Sequence, residues 1–235
     1  MKRPQKLAVM LVPTPPYEIC GLTVGDTATP GAPRLIYDWT RGDGVSGAFS
    51  RDERHLIVGG IDGRLLLLDP MSGDTIGTLG GHLSSVLSID VSHNDTEVLA
   101  SSAEGTVRVW EQEAVADSLV LTGHEGELRE LAFSPDGKRL ISAGLDETAR
   151  IWHTSTGQEL LTIHGAGDFP AADFSPDGRH VATGGYGDEH LRIWDIDSGQ
   201  AVHVMEEVSS PFFVKYSPDG SRVAASGGRA YAREL

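Results

Sequence analysis

The chain has 235 residues, 39% of them hydrophobic and 23% charged, with 34 acidic against 19 basic side chains and a net charge of −15. These proportions fit a globular protein, no apolar run is long enough to span a bilayer, and the negative charge repels phosphate backbones, so neither a membrane nor nucleic acid is an expected partner. The one cysteine, Cys20, excludes an internal disulfide and a cysteine-cluster metal site and fits a reducing, cytoplasmic setting.

The first 21 residues mimic a secretory leader, with a basic start and an apolar stretch at 7–12. That stretch is only six residues long and ends in Pro13-Thr-Pro-Pro16, so it reads as a strand and a proline-rich turn. Residues 22–26 and 34–37 read as two further strands. Gly42-Asp-Gly-Val-Ser-Gly47 matches the dinucleotide pattern G-x-G-x-x-G, which needs a helix directly after it to hold a pyrophosphate. Here Ala48-Phe49-Ser50 runs instead into a hairpin turn, so no cofactor is expected.

From residue 45 onward one unit recurs. Trp110, Trp152 and Trp194 stand 42 residues apart, and Phe49, Val91, Phe133, Phe174 and Tyr216 are spaced by 42, 42, 41 and 42. A fixed period in this range marks stacked supersecondary units, which build binding surfaces more often than reaction centres. Full units fall near 45–79, 86–122, 128–163 and 170–205, each of four short strands, a to d. The third is clearest. Residues 128–133 alternate as a half-buried strand a, and Ser134-Pro-Asp-Gly137 makes a tight turn. Residues 140–143, 148–152 and 158–163 then supply strands b, c and d. The turn phrase returns at Ser175 and Ser217, with echoes at Ser50 and Ser92; Asn94-Asp-Thr96, a glycosylation sequon in form, reads as part of such a turn. Strands a and b of one more unit follow at 212–216 and 222–226, and residues 229–235 read as a tail.

Gly81-His82, Gly123-His124, the Ser-Pro-Asp-Gly turns and Ile193-Trp194-Asp195, with Val109-Trp110-Glu111 and Ile151-Trp152-His153 as variants, resemble the WD-repeat β-propeller family over residues 22–228. The resemblance implies an all-β propeller of four-stranded antiparallel blades, about five of them, or an incomplete propeller. A ring would close by pairing the C-terminal a and b strands with the N-terminal c and d strands; the alternative is a truncated piece of a longer propeller with no independent activity. The resemblance also implies a buried polar network in each blade. His124, Ser142, Asp146 and Trp152 match it in full. His82, Ser101 and Trp110 pair with Glu104 in a shorter turn. Thr183, Asp188 and Trp194 lack a placed histidine, and the first unit keeps Asp62 but has Val58 and Leu68.

Residues 44–235 carry 30 acidic and 14 basic side chains, so basic proteins or peptides are favoured electrostatically as partners, although such charge also serves solubility. No nucleophile–base set is legible: His124-Glu125 does not continue to H-E-x-x-H, and there is no nucleophile elbow or P-loop. No metal is expected, because the histidines follow strand ends rather than ligand spacing. Arg108, Arg150 and Arg192, one per unit on strand c, read as a solvated face paired with cross-strand carboxylates. Strand direction puts the d–a loops and b–c turns on one rim. That rim collects Leu83, Glu125, Glu127 and Phe169 from the loops and Ile61, Ala103, Leu145 and Tyr186 from the turns, about half of them expected to be exposed. The expected function is a non-catalytic scaffold that docks proteins or peptides on this rim. The alternative, a propeller hydrolase or lyase with a central-channel site, requires polar groups at the axis-facing positions of strand a, and Val45, Val86 and Leu128 are apolar there.

Overall fold

The computed structural model describes residues 6–10, 20–26, 34–39, 44–111, 118–165, 167–187, 190–206, 210–227 and 231–234. Among them every regular element is a strand, and neighbouring strands pair antiparallel in sequence order. Four sheets have four strands. The first is β4 (Gly44–Phe49), β5 (Leu56–Gly60), β6 (Leu65–Leu68) and β7 (Thr75–Leu79), and the second β8 (Val86–Val91), β9 (Glu97–Ser102), β10 (Val107–Glu111) and β11 (Ser118–Leu121). The third is β12 (Leu128–Phe133), β13 (Arg139–Gly144), β14 (Thr148–His153) and β15 (Glu159–His164), and the fourth β16 (Asp168–Phe174), β17 (His180–Tyr186), β18 (Leu191–Asp195) and β19 (Ala201–Met205). The all-β architecture expected from the period is therefore present.

The ends depart from expectation. β1 (Lys6–Met10), β2 (Cys20–Asp26) and β3 (Arg34–Trp39) form one three-stranded sheet, and β20 (Phe213–Tyr216), β21 (Arg222–Ser226) and β22 (Tyr231–Glu234) form another. No strand is shared between them among the described residues. The reason lies in edge saturation: β2 is paired on both sides by β1 and β3, and β21 by β20 and β22. Residues 231–234, read from the sequence as tail, are the strand that occupies the free edge of β21. The proline-rich turn at 13–16 lies outside the described residues.

Burial explains why the period is so strict. The b strands are buried on both faces, all five residues of β5 and the last five of both β9 and β13. The d strands are largely exposed, as at Ala201 to Val204 of β19. Successive a strands lie side by side, β4 by β8, β8 by β12, β12 by β16 and β16 by β20, so a is the inner strand and d the outer one. The core is accordingly split into slabs between sheets. Ile57, Leu65, Val86 and Trp110 fill the first junction, and Leu99, Leu128, Phe133 and Trp152 the second. Ile141, Ile151, Phe174 and Val181 fill the third, and Leu191, Ile193, Val214 and Val223 the fourth. Each such side chain contributes roughly 1.5–3 kcal/mol by leaving water, so each sheet depends on its neighbours. β21 shows the consequence: Val223 and Ala225 are buried against the fourth sheet, while Arg222 and Ala224, which alternate with them, are exposed.

The a–b turns share one construction. In the third sheet the Gly137 amide donates to the Ser134 carbonyl (2.9 Å), Ser134 Oγ donates to Asp136 Oδ1 (2.7 Å) and the Arg139 amide donates to Ser134 Oγ (2.9 Å). Gly137 has φ of 70°, the left-handed conformation that glycine adopts without a Cβ clash. Each a strand of the four-stranded sheets also begins with a bulge, at Gly44/Ser46, Val86/Ser88, Leu128/Glu130 and Asp168/Ala171. Bulges add local twist and re-aim the following side chains. Gly44 to Phe49 being strand, the glycine pattern at 42–47 has no helix after it.

Candidate functional site

The polar network of the third sheet is a connected chain of protons. Trp152 Nε1–H donates to Ser142 Oγ (2.8 Å), Ser142 Oγ lies 2.8 Å from His124 Nε2, and His124 Nδ1 lies 2.8 Å from Asp146 Oδ2. With a neutral imidazole carrying its proton on Nδ1, Ser142 donates to Nε2, and every donor in the chain has an acceptor. Burial holds the His124 midpoint below its ordinary value, against the pull of Asp146. Asp146 also accepts the Glu125 amide (3.0 Å) and the Thr148 hydroxyl (2.8 Å), and its carboxyl lies below the usual range because these bonds and His124 outweigh its burial.

The second sheet builds the same junction from different parts. Glu104 accepts from Thr106 Oγ1 (2.6 Å) and from the Leu83 amide (2.8 Å), and it stands 3.1 Å from His82 Nδ1. The turn is not shorter than that of the third sheet, as the sequence suggested: Glu104 and Asp146 stand 42 residues apart, as His82 and His124 do, so glutamate replaces aspartate at the same position. Ser101 is not the counterpart of Ser142: Ala100 pairs with Arg108 as Ser142 pairs with Arg150, so the matching position is Ala100. Ser101 Oγ donates instead to the Leu128 carbonyl of the next sheet (3.2 Å), and His82 Nε2 faces the Ala100 carbonyl (3.2 Å). Trp110 meets the His82 ring edge-on at 5.8 Å. In the fourth sheet Trp194 Nε1–H donates to Thr183 Oγ1 (2.8 Å), and Asp188 lies outside the described residues. Asp62 in the first sheet accepts from the amide and Nε of Arg64 in its own turn. Thr106 and Thr148 escaped the sequence reading, although they stand 42 apart, each two residues after the acid.

The network's work is to fix a rim. The Leu145 amide donates to the Glu127 carbonyl (2.9 Å), and at the same register the Ala103 amide donates to the Ser85 carbonyl (3.0 Å), so each b–c turn is tied to the d–a loop of its own sheet. Neighbouring sheets interlock as well. A Cβ on Gly63, at φ of 78°, would lie 2.3 Å from the His82 carbonyl oxygen, and one on Gly105, at φ of 81°, 3.0 Å from that of Gly126. On this locked base Leu83 is 92% exposed and Ile61 47%. Glu125 is exposed, while Glu127, which pairs with Arg129 (2.6 Å), Ala103 and Leu145 are half-buried. The side chains of Phe169 and Tyr186 lie outside those described. Phe212, read from the sequence as the start of strand a, lies just before β20 and is 49% exposed.

The a strands hold what the sequence reading overlooked. Val86 and Leu128 are fully buried as expected, and Val45 lies outside the described side chains. The adjacent register, however, brings Asp90, Glu130, Asp173 and Lys215 into one charged cluster spanning four sheets. Asp90 Oδ2 accepts the Phe133 amide (2.9 Å) and Oδ1 the Val91 amide (2.9 Å). Asp173 accepts the Tyr216 amide (2.8 Å) and Lys215 Nζ (3.1 Å). The signal was present: Asp90, Asp173 and Lys215 share one position of the repeat, just before the aromatic or valine that ends strand a. Arg150 Nη1 pairs with the cross-strand Glu159 (2.7 Å), but Arg108 departs from the expected solvated carboxylate pair: its Nη1 donates to the Ser118 hydroxyl (2.9 Å) and its Nε is buried without a partner among the described residues. No group of histidine, cysteine, aspartate and glutamate able to hold a metal ion occurs among the described residues, and no helix long and apolar enough to cross a membrane occurs among them.

Comparison with known proteins agrees with this geometry. The family described as WD domain, G-beta repeat matches residues 73–111, 117–153 and 157–195, each match running from strand d of one sheet through strand c of the next. The chain is 33% identical over 135 residues to Pre-mRNA-processing factor 19 homolog 2 of Arabidopsis thaliana, covering 55% of this chain and 26% of the relative. It is 30% identical over 145 residues to a guanine nucleotide-binding protein subunit beta of the same plant (57% and 38%), and 31% identical over 141 residues to human apoptotic protease-activating factor 1 (56% and 11%). The matched segments thus span well under half the length of these relatives. A chain in the crystal structure of a mitotic checkpoint complex superposes with a TM-score of 0.84 at 22% identity, over 95% of this chain and 69% of that one, which speaks to the fold alone. Repeat match, sheet construction and superposition coincide: the chain is a WD-repeat β-propeller protein.

Proposed function

We propose that the protein is a non-catalytic scaffold that docks a protein or peptide on the rim formed by the d–a loops and b–c turns. The observation that carries the reading is Leu83, an apolar side chain 92% exposed on a loop whose amide is fixed by Glu104. An exposed apolar tip on a rigid base loses little entropy on binding, which favours recognition. Ile61 adds a second apolar side chain, and Glu125, Glu127 and Glu147, in the loops of the third sheet on the same rim, add negative charge that suits a basic partner. The relatives named above are WD-repeat proteins whose repeats serve protein interaction, which supports the class of function without naming this chain's partner. The inner-strand carboxylates Asp90 and Asp173 are engaged with backbone amides rather than free to act on a substrate. We extend the proposal to a cytoplasmic location, supported by the single cysteine.

The test is affinity capture with crosslinking, comparing the wild-type chain with the double variant I61E/L83E and with M71E on the opposite rim, where Met71 is 64% exposed. The rim variant should lose its crosslinked partners and M71E should keep them, with binding weakened by salt. Loss with M71E alone, or turnover by the isolated chain on a panel of esters, phosphates and peptides, overturns the reading.

A further inference from the structure

Lys215 reaches across two junctions. Its ammonium stands 3.1 Å from Asp173 Oδ1 on β16 and 3.9 Å from Glu130 Oε1 on β12, two sheets away from its own strand β20. Asp90 on β8 completes the group, bound to the Phe133 amide of β12. Arg51, in the turn after β4, acts on Asp90 from its other side. Of the other strands against β12, β9 and β13 carry Glu97 and Arg139 at their far ends. Arg139 is four residues along β13 from Ala143, the partner of Glu130. Three carboxylates therefore share one nearby ammonium, and two of the three are already neutralised in part by backbone amides. Among the described residues Glu130 has only the long contact to Lys215.

We propose that Glu130 and Lys215 form a proton-operated clamp that holds the C-terminal sheet, β20 to β22, to the sheets before it, tight while Glu130 is protonated and loosened when it ionises. Protonated Glu130 leaves Lys215 wholly to Asp173, which in turn holds the Tyr216 amide, so β16 and β20 are joined twice. Ionised Glu130 competes for the same ammonium and adds a second uncompensated negative charge beside Asp90 and Asp173. The charge regains water most readily by parting β20 from β16, because β20 carries the shared ammonium and, among the described residues, its sheet packs a single face, with Val214, Val223 and Ala225, against the fourth sheet. Burial drives the Glu130 carboxyl up to about 7, with Asp173 and Asp90 adding to burial and Lys215 opposing it. The sign follows: the folded chain retains a proton that the unfolded chain releases above the ordinary 4.5, so stability falls as pH rises from there to about 7. A full shift of this size corresponds to a few hundred-fold in the unfolding constant, and partial solvent access reduces it to about tenfold.

The experiment follows urea unfolding of the full chain between pH 5 and 8 for wild type and E130Q. The ratio of their unfolding constants should change at least about tenfold across the range, wild type being the one that loses stability toward pH 8. Superimposable pH curves overturn the proposal. Hydrogen exchange then locates the effect: opening at Val214 and Ala225, corrected for the intrinsic rate, should grow with pH in wild type and not in E130Q, while Leu56 and Val58 stay unchanged. Uniform change across all sheets overturns the clamp. Carbon-13 NMR of the Glu130 carboxyl needs no folded variant in wild type; a midpoint at the ordinary glutamate value overturns it, and K215M should move the midpoint upward.

Discussion

The backbone amide of Phe133 donates to Oδ2 of Asp90 across the junction between the second and third sheets, 43 residues apart, at 2.9 Å. Asp173 repeats the bond to Tyr216 at 2.8 Å and the same separation. At the corresponding positions of the first and third sheets stand Ala48 and Ala132, so the link occurs at alternate junctions. Sheets in this molecule are thus joined by directed bonds as well as by apolar slabs.

Asp90→Ala removes a charged acceptor and leaves the Phe133 amide unpaired in a closely packed junction. The expected loss is about 2–3 kcal/mol of unfolding free energy. Asp90→Asn keeps an acceptor and removes a carboxylate that burial has pushed above its ordinary range, so its loss should be below about 1 kcal/mol. Urea midpoints of the two variants at pH 7 check the difference, and equal losses would place the effect in packing instead.

Ser142→Ala strands both the Trp152 indole N–H and His124 Nε2, which meet only at that hydroxyl, each at 2.8 Å. A cost of about 2–4 kcal/mol is expected. Ser142→Thr should recover most of it, because the fourth sheet already runs the same bond from Trp194 to Thr183 Oγ1 at 2.8 Å. Thermal unfolding of both variants reads the contrast; a threonine variant as weak as the alanine one would show that steric fit rather than the oxygen decides.

The two classes of feature differ in how legible they were. Trp110, Trp152 and Trp194 fixed the period, and the period located strands a to d, because a side chain buried between two sheets must recur whenever the sheet does. The His124 chain was legible for the same reason. Ser101 was misplaced because it was chosen by residue type: a count of 42 back from Ser142 falls on Ala100, which has no hydroxyl, and Ser101 is the neighbour that does. The inner cluster was legible only in part, since Asp90, Asp173 and Lys215 share one position of the repeat and Glu130 does not. Glu130 and Lys215 sit in different repeats, at different positions of strand a, and only the curvature of the array brings them within 3.9 Å. The pairing of the terminal strands was misjudged because β22, a strand of four residues with sequence Tyr-Ala-Arg-Glu, carries no apolar alternation to mark it.

Acid should weaken the rim before it weakens the slabs. Burial holds His82 and His124 below their ordinary midpoint, against Glu104 and Asp146, which pull the other way. The unfolded chain therefore binds more protons than the folded one between the ordinary 6.5 and the lower folded midpoints, and stability falls as pH drops through that window. This slope is opposite to that of Glu130. Imidazole resonances titrating below 6.5 in the folded chain, together with increased exchange at the Leu83 and Glu125 amides toward pH 5, are the expected observations. Midpoints at or above the ordinary value would contradict the neutral tautomer assigned to His124.

Two turns depart from the Ser-Pro-Asp-Gly pattern in a way that separates strain from function. Glu53 and Asp95 occupy the glycine position with φ of 60° and 58°, a conformation that costs a residue with a Cβ about 1–2 kcal/mol. Glu53→Gly should relieve that strain and stabilise the chain by about 0.5–1 kcal/mol after the entropy of the more flexible unfolded glycine is deducted. Asp95→Gly relieves the same strain but gives up two bonds to the preceding turn, from the Arg51 amide to Oδ1 (2.6 Å) and from the Asp52 amide to Oδ2 (2.9 Å). Charge-assisted bonds of this kind outweigh the relief, so a net loss of about 1 kcal/mol is expected, with Asp95→Asn lying between the two. Denaturant unfolding of the three variants orders them, and a stabilised Asp95→Gly would show that the turns of the first and second sheets are held together by something other than this carboxylate.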